Sequence, residues 1–286
     1  AGKRLVGPGD GSACWRVDRP GARGAVGRAM AAKRAGEGWG VREVRHEVGK
    51  GQNGIDFMCG DAVHACDNVE LFRRCVKAVA LKHGYFASFM PKPLAFRAGN
   101  GMHDNVSLVT ADNFDAFFDP EGEDRLSAVC RKFVSGVIRH ARGLAALTNP
   151  TVNSYKRLVP GYETPCWACW SLANRSAMIR IPDMRGKYTR AEIRNVDPMA
   201  NPYLANAAIL AAGLEAIAAL ADGDTVRPVT GDVFAMTPRQ LKRSGIVPLP
   251  ANLDEAPGQL RRDELPTGVL GPGLAPAYLK DKPATW

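Results

Sequence analysis

Four stretches of this sequence carry side chains able to do chemistry. The first is Phe89-Met90-Pro91-Lys92-Pro93, followed by Gly99-Asn100-Gly101-Met102-His103. A Gly-x-Gly turn beside a histidine lets backbone approach a ligand while an imidazole points into the same space. The same residues would also make a plain turn followed by a hydrogen-bonded histidine. The second is the polar run over residues 149–163, Asn-Pro-Thr-Val-Asn-Ser-Tyr-Lys-Arg-Leu-Val-Pro-Gly-Tyr-Glu. Long ordered loops are often functional, and Arg157 and Glu163 would be costly to bury without partners. A solvated connection is the other reading. The third runs from Asn174-Arg175-Ser176 through Arg180 to Glu192-Ile193-Arg194. In a strand, Glu192 and Arg194 share one face, opposite Ala191 and Ile193. A carboxylate and a guanidinium side by side, with Arg175 and Arg180 nearby, suit a metal and an anion together, or a surface ion-pair ladder. The fourth is His46-Glu47-Val48 with Gln52-Asn53 just beyond, a weak metal signal by itself.

Taken in order, these stretches resemble the bacterial type of the glutamine synthetase family, from about Arg45 to Ile217 and more loosely to Trp286. The resemblance implies ATP-dependent ligation of glutamate to ammonia through a γ-glutamyl phosphate. It also leaves room for an organic amine in place of ammonia, or for a non-catalytic glutamine synthetase-like subunit or fragment. It implies ATP as co-substrate and Mg2+ or Mn2+ as cofactor. On this resemblance Glu47 binds one metal, and His103 and Glu192 bind the metal nearest the γ-phosphate. Arg157 holds the glutamate α-carboxylate, with Gly99 lining the same pocket. Arg175 and Arg194 stabilise the transferring phosphoryl group, Arg180 and Lys187 face the nucleotide phosphates, and Ser107 lines the nucleotide pocket. Glu163 sits on the loop that closes the site and deprotonates the incoming ammonium.

The sequence departs from the family pattern at several positions. Gly54 stands where the family has a metal-binding glutamate, Asn105 where it has a second histidine, and Arg45 where it has another histidine. Ala98 replaces an asparagine that contacts glutamate in ammonia-using members, a change also seen in amine-using relatives. The family's N-terminal β-grasp domain and two further metal-binding glutamates are not recognisable in residues 1–40. In the family's rings a neighbouring subunit supplies one wall of each active site. A homo-oligomer, or a partner chain supplying that domain, is therefore expected.

The elements that must position these residues can be read from periodicity. Residues 44–48 and 55–58 look like strands flanking a Gly-rich loop. Asp67 and Glu70 have the spacing of a helix N-cap and capping box, and Gly84 stops that helix. Residues 85–90 read as a strand. An amphipathic stripe of Leu126, Val129, Cys130, Phe133, Val137, Ala141 and Leu144 predicts one long helix over 123–146. Strands follow near 177–181 and 191–196. Asn201 caps a helix with Pro202 in its first turn, running to about Leu220. That helix is apolar on nearly every side and reads as a buried core helix rather than a membrane span; no apolar stretch is expected to be long enough to span a bilayer.

The fold expected is α+β, a curved antiparallel sheet with flanking helices. Residues 1–40 read as an irregular basic lead, and 41–286 as one catalytic domain with a helical tail from about residue 222. The formal net charge is +9. That excess suits a polyanionic partner such as a nucleotide. The arginines are scattered and aromatics make up only 7% of the chain, so the pattern does not point to nucleic acid. Seven cysteines form no framework, and Cys166 and Cys169 would fall on opposite strand faces, which suits buried thiols rather than zinc. A cytoplasmic protein is expected.

Overall fold

The structure, a computed structural model, describes residues 13–16, 41–49, 52–172 and 174–284. The first half contains β1 (Ala13–Arg16), β2 (Val41–His46), β3 (Gln52–Phe57), α1 (Ala62–Lys82), β4 (Asp104–Val106), α2 (Ala128–Arg139), α3 (Ala141–Thr148) and α4 (Val152–Arg157). The second half contains β5 (Trp167–Ala168), β6 (Trp170–Leu172), β7 (Ile179–Ile181), β8 (Ala191–Ile193), α5 (Pro202–Ala219), α6 (Pro238–Arg243), β9 (Val247–Pro248), α7 (Glu255–Arg262) and α8 (Glu264–Ala284). Short 3-10 turns join several of them.

The strands form three sheets, ordered β1-β3-β2, β4-β8-β7-β6 and β5-β9. Every pair is antiparallel except β6 with β7, so the expected antiparallel sheet contains one parallel pair. The register of the four-stranded sheet sets up the site. Glu192 on β8 lies opposite Asn105 on one side and Arg180 on the other.

Beneath that sheet lies a helical core. α5 places Ala205, Ala208, Ile209 and Ala212 fully out of solvent against α2. The two helices come so close that a Cβ added at Gly136 would stand 2.1 Å from the Ala212 carbonyl oxygen. Small residues on both sides let the backbones meet. α5 is also long and apolar enough to cross a membrane by length and composition, contrary to the expectation that no such stretch exists. Its buried line is occupied by α2, α3 and α8. Its N-cap is as expected: Asn201 accepts hydrogen bonds from the backbone amides of Tyr203 and Leu204. Asn201→Ala is expected to cost about 1 kcal/mol of unfolding free energy, read from a urea titration.

Several expectations shift. α1 begins at Ala62, capped by Asp61 rather than Asp67, and Asp67 instead accepts from the Tyr203 hydroxyl. Residues 85–90 form no strand; the Met90 carbonyl is taken by the Asn100 side chain and that of Pro91 by the Asn100 backbone. The single helix over 123–146 divides into a 3-10 turn, α2 and α3, with a break at His140, whose ring nitrogen Nδ1 meets Asp263 at 2.9 Å. The Gly-rich loop is shorter than read, because Gln52, Asn53 and Gly54 belong to β3. Within residues 1–40, Ala13–Arg16 pair along β3; the rest of that lead lies outside the described residues. Burial pushes the Cys166 and Cys169 thiols up, to about 12 and about 11, and Cys169 sits in a small apolar cluster with Ala177 and Val233.

Candidate active site

Glu192 is the electrostatic centre of the site. Strand alternation sends its neighbours Ala191 and Ile193 into the core and leaves Glu192 on the other face, yet it is only 4% exposed. Three cationic or hydrogen-bonding groups cover it. His103 Nδ1 lies 3.0 Å from Oε1, and Arg194 Nη1 donates to the same oxygen at 3.3 Å. Arg180, its cross-strand neighbour, donates through Nε to Oε2. Burial alone would push the Glu192 carboxyl up. The hydrogen bond from His103 and the charges of His103, Arg194 and Arg180 outweigh burial and hold it well below the usual carboxylate range.

The 149–163 stretch is not a plain loop. α4 occupies its middle, started by a reciprocal capping box between Thr151 and Ser154. α4 delivers Arg157, which is 3% exposed and donates to three carbonyls: Arg194 at 3.0 Å, Asn195 at 2.8 Å and Val196 at 3.4 Å. These bonds fix the guanidinium plane against the segment that follows β8. Asn149 fastens the other end of the stretch to Asn195 O and to Asp197. Burial pushes the Asp197 carboxyl up, opposed by the Arg157 charge and by hydrogen bonds from Ser154, Met199 and Asn149.

An open cleft lies beside Arg157, lined by Glu47, Ala98, Gly99, Gly101, Arg157 and Glu163 among others. Gly101 lies between two functional groups: a Cβ there would stand 2.6 Å from Arg157 Nη2 and 2.7 Å from His103 Nε2. Glu163 is exposed, holds a left-handed backbone with φ of 57°, and offers its carbonyl to Arg194 Nη2 at 3.3 Å. Glu47 enters from the β2–β3 hairpin, where its amide bonds the Gln52 carbonyl at 3.0 Å.

The sequence-predicted residues thus fall into two groups. Glu47, Gly99, Arg157 and Glu163 meet at one cleft, and His103, Glu192, Arg180 and Arg194 form the charged cluster beside it. Arg175 is exposed on the turn between β6 and β7, and Lys187 is exposed with its ammonium 5.1 Å from the Tyr188 ring. Ser107 is half-buried just past β4. None of these three touches the Glu192 cluster among the described contacts. Sequence reasoning missed Tyr162 and Thr164 as lining residues. Tyr162 precedes the expected Glu163, and its neighbourhood was the only signal.

Donor types that a hard divalent cation accepts stand in two places, the His103–Glu192 pair and Glu47. Oxygen and imidazole donors suit Mg2+ or Mn2+, and Mg2+ is commonly held by one or two carboxylates with water and phosphate oxygens completing the shell. With Nδ1 turned to Glu192, His103 would offer a metal its Nε2, on the Gly101 side, while both Glu192 oxygens are engaged by His103, Arg194 and Arg180 in this structure. Glu47 makes the other contribution. Among the described residues no three His, Cys, Asp or Glu side chains converge. Gly54, buried in β3, offers no side chain, and Asn105 is engaged by Arg190 at 2.9 Å.

Comparison with known proteins shows what the whole chain is similar to. The family model described as glutamine synthetase, catalytic domain, matches residues 8–286. The chain is 45% identical over 249 residues to a glutamine synthetase of Staphylococcus epidermidis, a match covering 87% of this chain and 55% of that protein. It is 44% identical over 252 residues to one from Clostridium saccharobutylicum, covering 87% and 56%. Among solved structures, a GmaS/ADP complex is similar with a TM-score of 0.83 and 38% identity, covering 94% of this chain and 62% of that one. An apo GmaS structure is similar with a TM-score of 0.80. The chain therefore spans about 55% of the length of these curated relatives.

Proposed function

We propose that this chain, which belongs to the glutamine synthetase family through its catalytic domain, carries the site for ATP-dependent ligation of glutamate to ammonia. The observation that supports it most is the meeting of Arg157, Glu163, Gly99 and Glu47 at one cleft beside the Glu192 cluster. The GmaS relative in complex with ADP supports a nucleotide at the same fold.

In this reading Arg157 holds the glutamate α-carboxylate, its plane already fixed by three carbonyls. Gly99 leaves room for the substrate backbone. The γ-carboxylate of glutamate attacks the γ-phosphorus of ATP, the bond to the bridging oxygen breaks, and ADP leaves. Arg194 and Arg175 offset the charge on the transferring phosphoryl group, while Arg180, Lys187 and Ser107 serve the nucleotide. Glu47, and His103 with Glu192, would hold Mg2+ or Mn2+, which would supply positive charge to offset that of the phosphates. Glu163 holds ammonium and accepts its proton, freeing the lone pair. Ammonia then attacks the acyl carbon, and phosphate leaves.

Ala98 lines the cleft, which favours a second reading in which an organic amine replaces ammonia. A further copy, or a partner chain carrying a β-grasp domain, is proposed to close the cleft. The test is ADP release with glutamate, Mg2+ or Mn2+, and either ammonium or a panel of amines. Turnover with ammonium supports the first reading, and turnover with amines alone supports the second. No turnover at millimolar substrate rejects both and leaves a non-catalytic subunit.

A further inference from the structure

Lys92 touches both ends of the segment that carries Arg157 and Glu163. At the first end, its backbone amide donates to Asn153 Oδ1 at 2.7 Å, and Asn153 Nδ2 donates back to the Lys92 carbonyl at 3.1 Å. Asn153 is the second residue of α4. At the other end, the Lys92 ammonium lies 3.4 Å from the centroid of the Tyr162 ring. Lys92 is 9% exposed, and its ammonium also donates to the Arg97 carbonyl. A buried ammonium must be compensated, and an aromatic face does this best where water is excluded. Burial, and then the charge of Arg157, draw the Lys92 pKa below its ordinary value.

On both sides of the second anchor, Tyr162, the backbone is left-handed. Gly161 has φ of 94° and Glu163 φ of 57°, and a non-glycine residue in that region persists only when its surroundings hold it. Gly161 has no neighbouring atoms within 4 Å of a Cβ position, so packing does not hold the turn there. Among the described residues, this stretch is held by the Tyr162 ring on Lys92, the Glu163 carbonyl bond to Arg194, and a long 3.4 Å hydrogen bond from the Thr164 hydroxyl to the Tyr162 carbonyl.

We infer that Lys92 is a positioning residue: its ammonium, stacked on Tyr162, staples the closing loop so that Glu163 is presented to the cleft. The part concerning catalysis rests on the ligase reading; the part concerning the loop does not. Lys92 itself does not touch the reacting atoms.

Hydrogen exchange of the full chain, followed over residues 158–164, tests the staple. Tyr162→Phe keeps the aromatic face, and its loop is expected to exchange like the parent. Tyr162→Leu is expected to exchange roughly 2- to 30-fold faster there, the range that a contact of this kind supports. Lys92→Met is expected to do the same, and the double variant to be no faster than either single one. Because Tyr162 is half-buried, its variants remain informative even where Lys92→Met fails to fold. Unchanged exchange in Tyr162→Leu, equal acceleration in Tyr162→Phe, or additive effects in the double variant would each overturn the inference. In the ligase assay, Tyr162→Leu is expected to raise KM for the amine substrate about tenfold with KM for ATP unchanged, and Tyr162→Phe to restore it. A parent without turnover would sink the ligase reading while the exchange data still decide the staple.

Discussion

Glu192→Ala is expected to lower unfolding stability by about 3–5 kcal/mol, the cost of stranding buried partners when one member of an ion pair is removed. Arg194 has a side chain only 2% exposed and His103 one only 1% exposed, so neither can turn to water when the carboxylate goes. Arg180, at 22%, can partly do so. The melting temperature should fall on the order of 10 °C. Glu192→Gln keeps the shape and one acceptor, so its loss should be smaller and come mainly from charge. The pH dependence gives an independent check. The folded carboxyl lies below its unfolded value, so its stabilisation is present above the unfolded pKa of about 4.3 and is lost as pH falls toward the folded one. The Gln variant should therefore show a flatter acid limb than the parent in thermal melts across pH 3–6. Calorimetry should also show Mn2+ affinity falling at least tenfold in Glu192→Ala. A variant that melts like the parent would mean that the cluster does not hold β4, β7 and β8 together.

The parts of this site that were legible in the sequence are those set by local rules. Strand alternation put Glu192 and Ala191 on opposite faces, and Asn201 with Pro202 fixed the start of α5. The resemblance in motif wording gave the family, which the family model and the relatives bear out. What was missed depends on partners distant in sequence. Asp61 and Asp67 both have helix-start chemistry, and only the Tyr203 hydroxyl, 136 residues on, shows why Asp67 is engaged elsewhere. The break at His140 is marked by Asp263, 123 residues away. Residues 85–90 have strand-like composition but no strand partner, because Asn100 takes the carbonyls of Met90 and Pro91. The Lys92–Tyr162 contact joins residues from separate motifs, and neither motif alone implies it.

Gly101→Ala is the second large effect, and it should fall on function more than on folding. The added methyl would stand 2.6 Å from Arg157 Nη2, 2.7 Å from His103 Nε2 and 2.9 Å from His103 Cδ2. Side-chain tips can usually give way, but these two are tethered. Arg157 is held by the carbonyls of Arg194, Asn195 and Val196, and His103 by Glu192. Relief therefore requires moving the proposed glutamate anchor, the proposed metal ligand, or the backbone between them. Overpacking of this kind costs about 1–3 kcal/mol of stability. Misplacing a positioning group by about 1 Å can cost on the order of 100-fold in rate. The variant is thus expected to melt only a few degrees lower while kcat/KM for glutamate falls roughly 100-fold. Gly101→Ala with full activity would show that Arg157 and His103 need not keep their present separation, and would remove the main geometric support for their joint role.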